Sequence, residues 1–374
     1  MPGPPNTESS NPMSKLIRAA QWVREDVQAQ KSYHIPEASD VIKLDAMENP
    51  WSMPAELDEA WRNSLAGIQL NRYPDPVARE LHAPLRELMQ VPEDASLLLG
   101  NGSDEIIQFI LMSLSAPDRV AMAPSPSFVM YEVLARACCM KFAAVPLDKN
   151  FALDMPAMRQ AISRYQPAVI FLAWPNNPTG NLFDIQDVKE ILSLAPGLVV
   201  IDEAYQPFVG ISFMTELMDH PNLVVMRTLS KVGLAGLRLG ILAGHSEWLN
   251  EFDKLRLPYN INSLTQTTAS FALQHWDVFQ QQIDAICKER ERMLGALQNI
   301  PGITAWPSQT NFILFRVADG LADDLHAHLL VDGILIKNLN RPGSPLSNCL
   351  RVTIGLADEN DAFVASVIRF THPH

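Results

Sequence analysis

Arg227-Thr228-Leu229-Ser230-Lys231 closes an apolar run and opens into Gly233-Leu234-Ala235-Gly236-Leu237-Arg238-Leu239-Gly240. A lysine becomes a nucleophile when desolvation or neighbouring positive charge lowers its pKa, and with an aldehyde its characteristic product is a Schiff base. Ser230 and Arg238 bring a hydroxyl and a fork-shaped cation to the same stretch, a pair suited to a phosphate. The glycine spacing does not follow G-x-G-x-x-G, which argues against a dinucleotide site. Val199-Val200-Ile201-Asp202-Glu203-Ala204-Tyr205 sets a carboxylate at the end of a second apolar run, with a phenol three residues on. An aspartate facing the nitrogen of a pyridine ring keeps that nitrogen protonated and makes the ring an electron sink, and a phenol such as Tyr205 can hydrogen-bond an oxygen on the same ring. In Leu98-Leu99-Gly100-Asn101-Gly102-Ser103-Asp104 the glycines let backbone approach an anion, and the helix that follows points free N–H groups at it. Trp174-Pro175-Asn176-Asn177-Pro178-Thr179-Gly180 offers the Asn177 amide, and Pro124-Ser125-Pro126-Ser127-Phe128 offers an aromatic face for a flat heterocycle. Taken singly, each segment also fits an ordinary role as a turn, a helix cap, a solvated lysine or a core phenylalanine.

The elements that must position these residues are legible in the apolar pattern. At 374 residues the chain exceeds what one growing core supports, so a large domain and a smaller one are expected. From about Pro76 to Gly244, apolar strand-like runs alternate with amphipathic stretches, the pattern of an α/β fold whose mostly parallel sheet lies between helices. Strands are expected at Ser96–Leu99, Arg119–Met122, Ala168–Ala173, Leu198–Asp202, Leu223–Arg227 and Leu239–Ala243, and helices around Asp104–Leu114, Phe128–Ala137, Met155–Tyr165 and Ile185–Leu194. The five segments above then fall at strand ends, where open α/β sheets bind ligands. A long helical stretch from Leu264 to Asn299 leads into a small α+β unit with strands Asn311–Val317, Ile334–Ile336 and Leu350–Ile354 and helices Asp323–Val331 and after Asp358. The expected division is a flexible tail over 1–14, an N-terminal arm with part of the small domain over 15–50, a large domain over 51–262 and a small C-terminal domain over 263–374.

Composition narrows the classes of function. A net charge of −13 argues against a nucleic-acid surface, which needs clustered Lys and Arg. No apolar run reaches the roughly 18 residues that cross a bilayer, so no membrane role is expected. Cys138, Cys139, Cys287 and Cys349 form neither a disulfide framework nor a C-x-x-C pair, and a reducing cytoplasm is the expected compartment. His326 and His328, two residues apart on a helix, face different directions, and no H-E-x-x-H occurs, so no metal is expected.

Together and in this order, Pro-Asn-Asn-Pro-Thr-Gly, Asp-Glu-Ala-Tyr, Thr-Leu-Ser-Lys with Gly-Leu-Ala-Gly-Leu-Arg, and Leu-Arg-Val-Thr-Ile-Gly resemble the fold-type I pyridoxal-phosphate aminotransferases, and within them the histidinol-phosphate aminotransferases. The resemblance runs from about Tyr33 to the C-terminus. It implies that Lys231 carries pyridoxal 5'-phosphate as a Schiff base and later moves the substrate proton. Asp202 would pair with the ring nitrogen, Asn177 and Tyr205 would hold the ring oxygen, and Phe128 would stack on the ring. Gly102, Ser103, Ser230 and Arg238 would hold the phosphate, joined by Tyr73 from a neighbouring subunit, which implies a homodimer with shared active sites. Arg351 would receive the carboxylate of glutamate or the phosphate of histidinol phosphate. Tyr33 and the segment Leu44–Pro50 with Asn49 would cover the substrate, and Asn311 would line its pocket. Two departures stand out: the stretch from Lys231 to Arg238 is one residue shorter than in many relatives, and Lys337 stands where a second substrate-binding arginine often occurs. Rival readings are an aromatic amino acid aminotransferase of the same fold, a decarboxylase of a phosphorylated amino acid, and the sensor part of a transcription regulator.

Overall fold

Strands that are apolar over nearly their whole length must be covered on both faces, and four of them make the middle of the larger sheet. In β5 (Val169–Ala173), β6 (Leu198–Asp202), β7 (Leu223–Thr228) and β8 (Leu239–Gly244) every residue is buried. The computed structural model describes residues 21–30 and 40–372, and among these β2 (Ser96–Asn101), β3 (Val120–Ser125) and β4 (Lys141–Pro146) complete a seven-stranded sheet in the order β2-β8-β7-β6-β5-β3-β4. β8 alone runs antiparallel to its neighbours. Its N-terminal end therefore lies beside the carboxyl ends of the other six.

Alternate strand residues serve opposite faces, as a two-residue period requires. Ile170, Leu172, Val199 and Ile201 join the core that includes Met158 and Ile162 of the helix Met155–Tyr165 and Val188 and Ile191 of the helix Ile185–Leu194. Val169, Phe171, Leu198 and Val200 join a second core with Ile106, Ile107 and Ile110 of the helix Ser103–Leu114 and Tyr131 and Ala135 of the helix Met130–Ala137.

A five-stranded sheet has the order β1-β11-β12-β10-β9, formed by β1 (Ile42–Leu44), β9 (Thr304–Ala305), β10 (Phe312–Arg316), β11 (Ile334–Asn338) and β12 (Cys349–Thr353). The helices Ala322–Val331 and Ala357–Thr371 accompany it. Residues 42–44, far from the rest in sequence, pair in parallel with Ile334–Ile336. Met1–Glu37 forms a separate unit, of which the described part includes the helical turn Glu25–Gln28. The expected tail over 1–14 and Tyr33 lie outside the described residues.

Two sequence expectations need correction. The single helical stretch over 264–299 is two helices, Ser263–Gln274 and Trp276–Gln298, separated at His275, whose backbone (φ −120°, ψ 35°) leaves the helical region. The partners change at the break: the first helix packs on Ala55–Leu65 and Arg79–Met89, the second on Ala357–Thr371. β4 was absent from the expected strands. It lies at the sheet edge, pairs with β3 alone, and carries Lys141 and Pro146, which dilute an apolar pattern.

A buried ion pair fastens the ends of β6 and β7. Arg227 Nε and Nη2 both lie 2.9 Å from Glu203 Oε2, whose carboxylate also accepts from Ser212 Oγ and the Phe213 N–H. Glu203→Ala would leave the Arg227 guanidinium buried without a counter-charge, and urea unfolding is expected to show a loss of about 3–5 kcal/mol. The double variant Glu203→Leu/Arg227→Met is expected to lose less; a single variant as stable as the wild type would contradict the clasp.

Candidate active site

The carboxyl ends of β2, β3, β5, β6 and β7 and the start of β8 meet around one cavity, the place where open α/β sheets bind ligands. Ser103, Phe128, Asn177, Asp202, Tyr205, Ser230, Lys231 and Arg238, separated by up to 135 residues (238 − 103) in sequence, all line it. The sheet accomplishes this because each residue sits just beyond a strand end, with the antiparallel β8 delivering Arg238 from its beginning.

At one end of the cavity is an anion cup. Gly102 (φ +84°) caps the helix Ser103–Leu114, and a Cβ there would come within 2.5 Å of Arg238 Nη2. The Ser103 hydroxyl is buried without a hydrogen-bond partner. Arg238 Nη1 lies 3.5 Å from Ser230 Oγ, and Nη2 lies 3.7 Å from Asp104 Oδ2. Thr228 Oγ1 donates to Ser230 Oγ at 2.9 Å and accepts from the Ser230 N–H at 3.1 Å, fixing the turn that leads into Lys231.

Asp202, also on the cavity wall, is buried, its Oδ2 accepting from Tyr131 at 2.7 Å and its Oδ1 from the Ala204 N–H at 3.1 Å. Burial pushes its carboxyl up to about 6, against the pull of those two donors. Lys231 lines the same cavity, its Nζ 5.7 Å from the centre of the Tyr205 ring. Burial, then the charges of Arg351 and Arg238, bring its amine down to about 8. Burial holds the Tyr205 phenol well above its ordinary value, so it stays protonated.

Arg351 projects from the middle strand of the smaller sheet toward this cavity. It is buried, donates from Nη1 to Asn177 Oδ1 at 2.6 Å and from Nη2 to the Asp45 carbonyl at 3.0 Å, and lies 5.1 Å from the centre of the Phe312 ring. Asn177 Nδ2 in turn donates to the Tyr205 hydroxyl at 3.2 Å. Lys337 pairs in register with Arg351 across β11 and β12. Asn311 Nδ2 donates to the Met47 carbonyl at 2.9 Å, and its Oδ1 is buried without a hydrogen-bond partner.

Asn49 and Tyr73 do not line this cavity. Asn49 donates to Gln282 at 2.9 Å and accepts from the Trp51 N–H at 2.9 Å, so its amide secures the chain beyond Met47. Tyr73 is 80% exposed and stacks on Tyr259 with ring centres 4.4 Å apart, outside the cavity of its own chain. Met47, from the segment expected to cover the substrate, lines the cavity, as does Thr228, and Tyr131, to which the sequence assigns no role, bonds Asp202. Tyr131 follows Phe128 by three residues, the spacing that puts two side chains on one side of a helical turn. Among the described residues there is no group of His, Cys, Asp or Glu that could hold a metal ion, and no helix long and apolar enough to cross a membrane.

Residues 39–368 match the family of class I and II aminotransferases, and the chain belongs to that family. It is 49% identical over 350 residues to histidinol-phosphate aminotransferase 2 of Nitrosococcus oceani, covering 94% of this chain and 97% of that one. It is also 49% identical over 354 residues to histidinol-phosphate aminotransferase 1 of Ralstonia nicotianae, covering 92% and 94%. The same fold is found in the histidinol-phosphate aminotransferase of Sinorhizobium meliloti, solved in complex with pyridoxal-5'-phosphate, with TM-score 0.83 at 22% identity over 94% of this chain and 97% of that one. Family membership makes the chain a pyridoxal-phosphate-dependent aminotransferase. The cavity fits that cofactor: a partnerless hydroxyl and a guanidinium above a glycine suit its phosphate, a buried carboxylate suits its ring nitrogen, and a buried amine of lowered pKa suits its aldehyde.

Only a neutral amine attacks an aldehyde, and the Lys231 amine is neutral above about 8 instead of its ordinary 10.5. Stopped-flow capture of pyridoxal phosphate by the apoprotein is therefore expected to accelerate as pH rises through about 8 and to level off above it. A rate still climbing toward the pKa of free lysine would contradict the buried setting of Lys231.

Proposed function

We propose that this enzyme transfers an amino group between L-histidinol phosphate and glutamate, with imidazole acetol phosphate and 2-oxoglutarate as the keto partners, in histidine biosynthesis. The observation that carries the substrate reading is the 49% identity, over nearly the whole length of both chains, to enzymes named for that reaction. The geometry agrees with it. A buried guanidinium already oriented by Asn177 and the Asp45 carbonyl can receive a carboxylate or a phosphomonoester in bidentate fashion, so Arg351 serves both half-reactions.

When bound, the cofactor supplies an aldehyde to take the amino group and a ring that delocalises the electrons left at the substrate Cα. The Lys231 Nζ, once free, accepts the proton from Cα and returns it, a task that its pKa of about 8 suits near neutral pH. Asp202 holds the proton on the ring nitrogen, while the Asn177 Nδ2 and the Tyr205 hydroxyl hold the ring oxygen. Phe128 stacks on the ring. Gly102, Ser103, Ser230 and Arg238 grip the phosphate, each charge-assisted hydrogen bond contributing roughly 1.5–3 kcal/mol. Lys337 and Asn311 complete the substrate pocket beside Arg351, and Asn49 acts on it by securing the turn at Met47. We read the enzyme as a cytoplasmic homodimer in which Tyr73, exposed and outside its own cavity, serves the neighbouring copy. The chain divides for this purpose into a cofactor-binding domain over 51–262 and a small domain over 263–374, with part of 15–50 joined to the latter as β1.

The test is to add histidinol phosphate, glutamate or phenylalanine singly to the holoenzyme and follow conversion of the cofactor to its amine form by absorbance. Rapid conversion by the first two and slow conversion by phenylalanine is expected. Conversion by glutamate and phenylalanine without histidinol phosphate would replace the substrate assignment, and turnover of a phosphorylated amino acid without a keto acceptor would replace the reaction. Arg351→Lys, which keeps the charge and loses the fork, is expected to lower kcat/KM for both glutamate and histidinol phosphate on the order of 100-fold. Loss confined to one donor would mean that the two anionic groups bind at different residues.

A further inference from the structure

We propose that Tyr131 is a positioning residue, whose hydroxyl fixes the carboxylate of Asp202 while its ring braces Phe128, so that one buried side chain sets two walls of the cavity. The proposal rests on the cofactor reading above and concerns how the protein prepares for the pyridine ring. Tyr131 lies in the first turn of the helix Met130–Ala137 and is fully buried. Its hydroxyl donates to Asp202 Oδ2 at 2.7 Å, while the Ala204 N–H occupies Oδ1 at 3.1 Å. Two donors on opposite oxygens fix the plane of the carboxylate, because turning it would break both bonds where no water replaces them. A carboxylate oxygen accepts more than one hydrogen bond, so capacity remains for a protonated ring nitrogen. Burial and the neighbouring charge of Asp202 hold the phenol proton firmly on Tyr131, which makes it a donor at every pH at which the protein is folded near neutrality.

The ring has its own task. It stacks on Phe171 with centres 4.7 Å apart and planes 12° from parallel, and it meets Phe128 edge to face at 5.5 Å and 83°. Phe171 is fully buried in the middle of β5, so it offers Tyr131 a rigid base. Phe128, half-buried and lining the cavity, takes its orientation from that stack. Carboxylate and stacking face are thus held on the wall of one cavity.

The experiment separates the two tasks. Tyr131→Phe removes the hydroxyl and keeps the ring; Tyr131→Leu removes both. Apoproteins are titrated by tryptophan fluorescence with pyridoxal phosphate and with its 1-deaza analogue, in which carbon replaces the ring nitrogen. Tyr131→Phe is expected to weaken pyridoxal phosphate on the order of tenfold or more, the worth of one hydrogen bond to a charged group, and to leave the analogue's affinity unchanged. Tyr131→Leu is expected to weaken both compounds. Equal losses of both compounds in Tyr131→Phe, or no loss, would overturn the role of the hydroxyl, and a Tyr131→Leu protein that binds the analogue as the wild type does would overturn the bracing of Phe128. A wild-type apoprotein that takes up neither compound would overturn the cofactor reading itself, a different result from either.

Discussion

Asp202 ends a strand that has no exposed residue, and an ionised carboxylate in that position carries a desolvation cost that the surrounding elements must offset. They do so with directed donors. The Ala204 N–H comes from the turn that follows β6, and the Tyr131 hydroxyl comes from a helix on one face of the sheet. The neighbouring residue, Glu203, is turned the other way into the Arg227 pair, which ties the same turn to β7. Because β7 leads directly into Ser230 and Lys231, fixing the carboxylate also fixes the distance over which the amine can work. Burial moves the pKa of both groups toward neutrality, Asp202 up to about 6 and Lys231 down to about 8.

The second sheet contributes one buried cation to this arrangement. Arg351 would be costly inside the protein if its guanidinium were idle, and its bonds to Asn177 and the Asp45 carbonyl meet part of that cost. The amide of Asn177 also touches the Tyr205 hydroxyl, so Arg351, Asn177 and Tyr205 share a single polar chain. Met47 sits over Tyr205, its sulfur 3.5 Å from the hydroxyl, and its backbone is held from two sides by Thr353 and Asn311.

The cavity was legible in the sequence because its residues follow apolar runs, and a run that ends in Asp, Lys or Asn marks a strand end in an α/β fold. Phe128, Asn177, Asp202, Tyr205, Ser230, Lys231 and Arg238 were found in this way, and all of them line one space. What escaped depends on pairing over long separations. Tyr131 looks like a core aromatic until Asp202, 71 residues away, is brought to its hydroxyl. Asn49 sits in a stretch that resembles a substrate cover, yet its partner is Gln282, 233 residues on. The break at His275 escaped for a similar reason, since the apolar spacing continues through it and only the change of packing partner divides the helix. The helix Arg79–Met89 contains Pro84, which interrupts the pattern by which a helix is recognised.

The central claim is that Lys231, and no other lysine, holds the cofactor. Reducing the holoenzyme with borohydride, digesting it and sequencing the labelled peptide by mass spectrometry tests this directly. The account requires a pyridoxyl group on Lys231 and its loss in Lys231→Ala. Label on a different lysine, or none after saturation with pyridoxal phosphate, would contradict it.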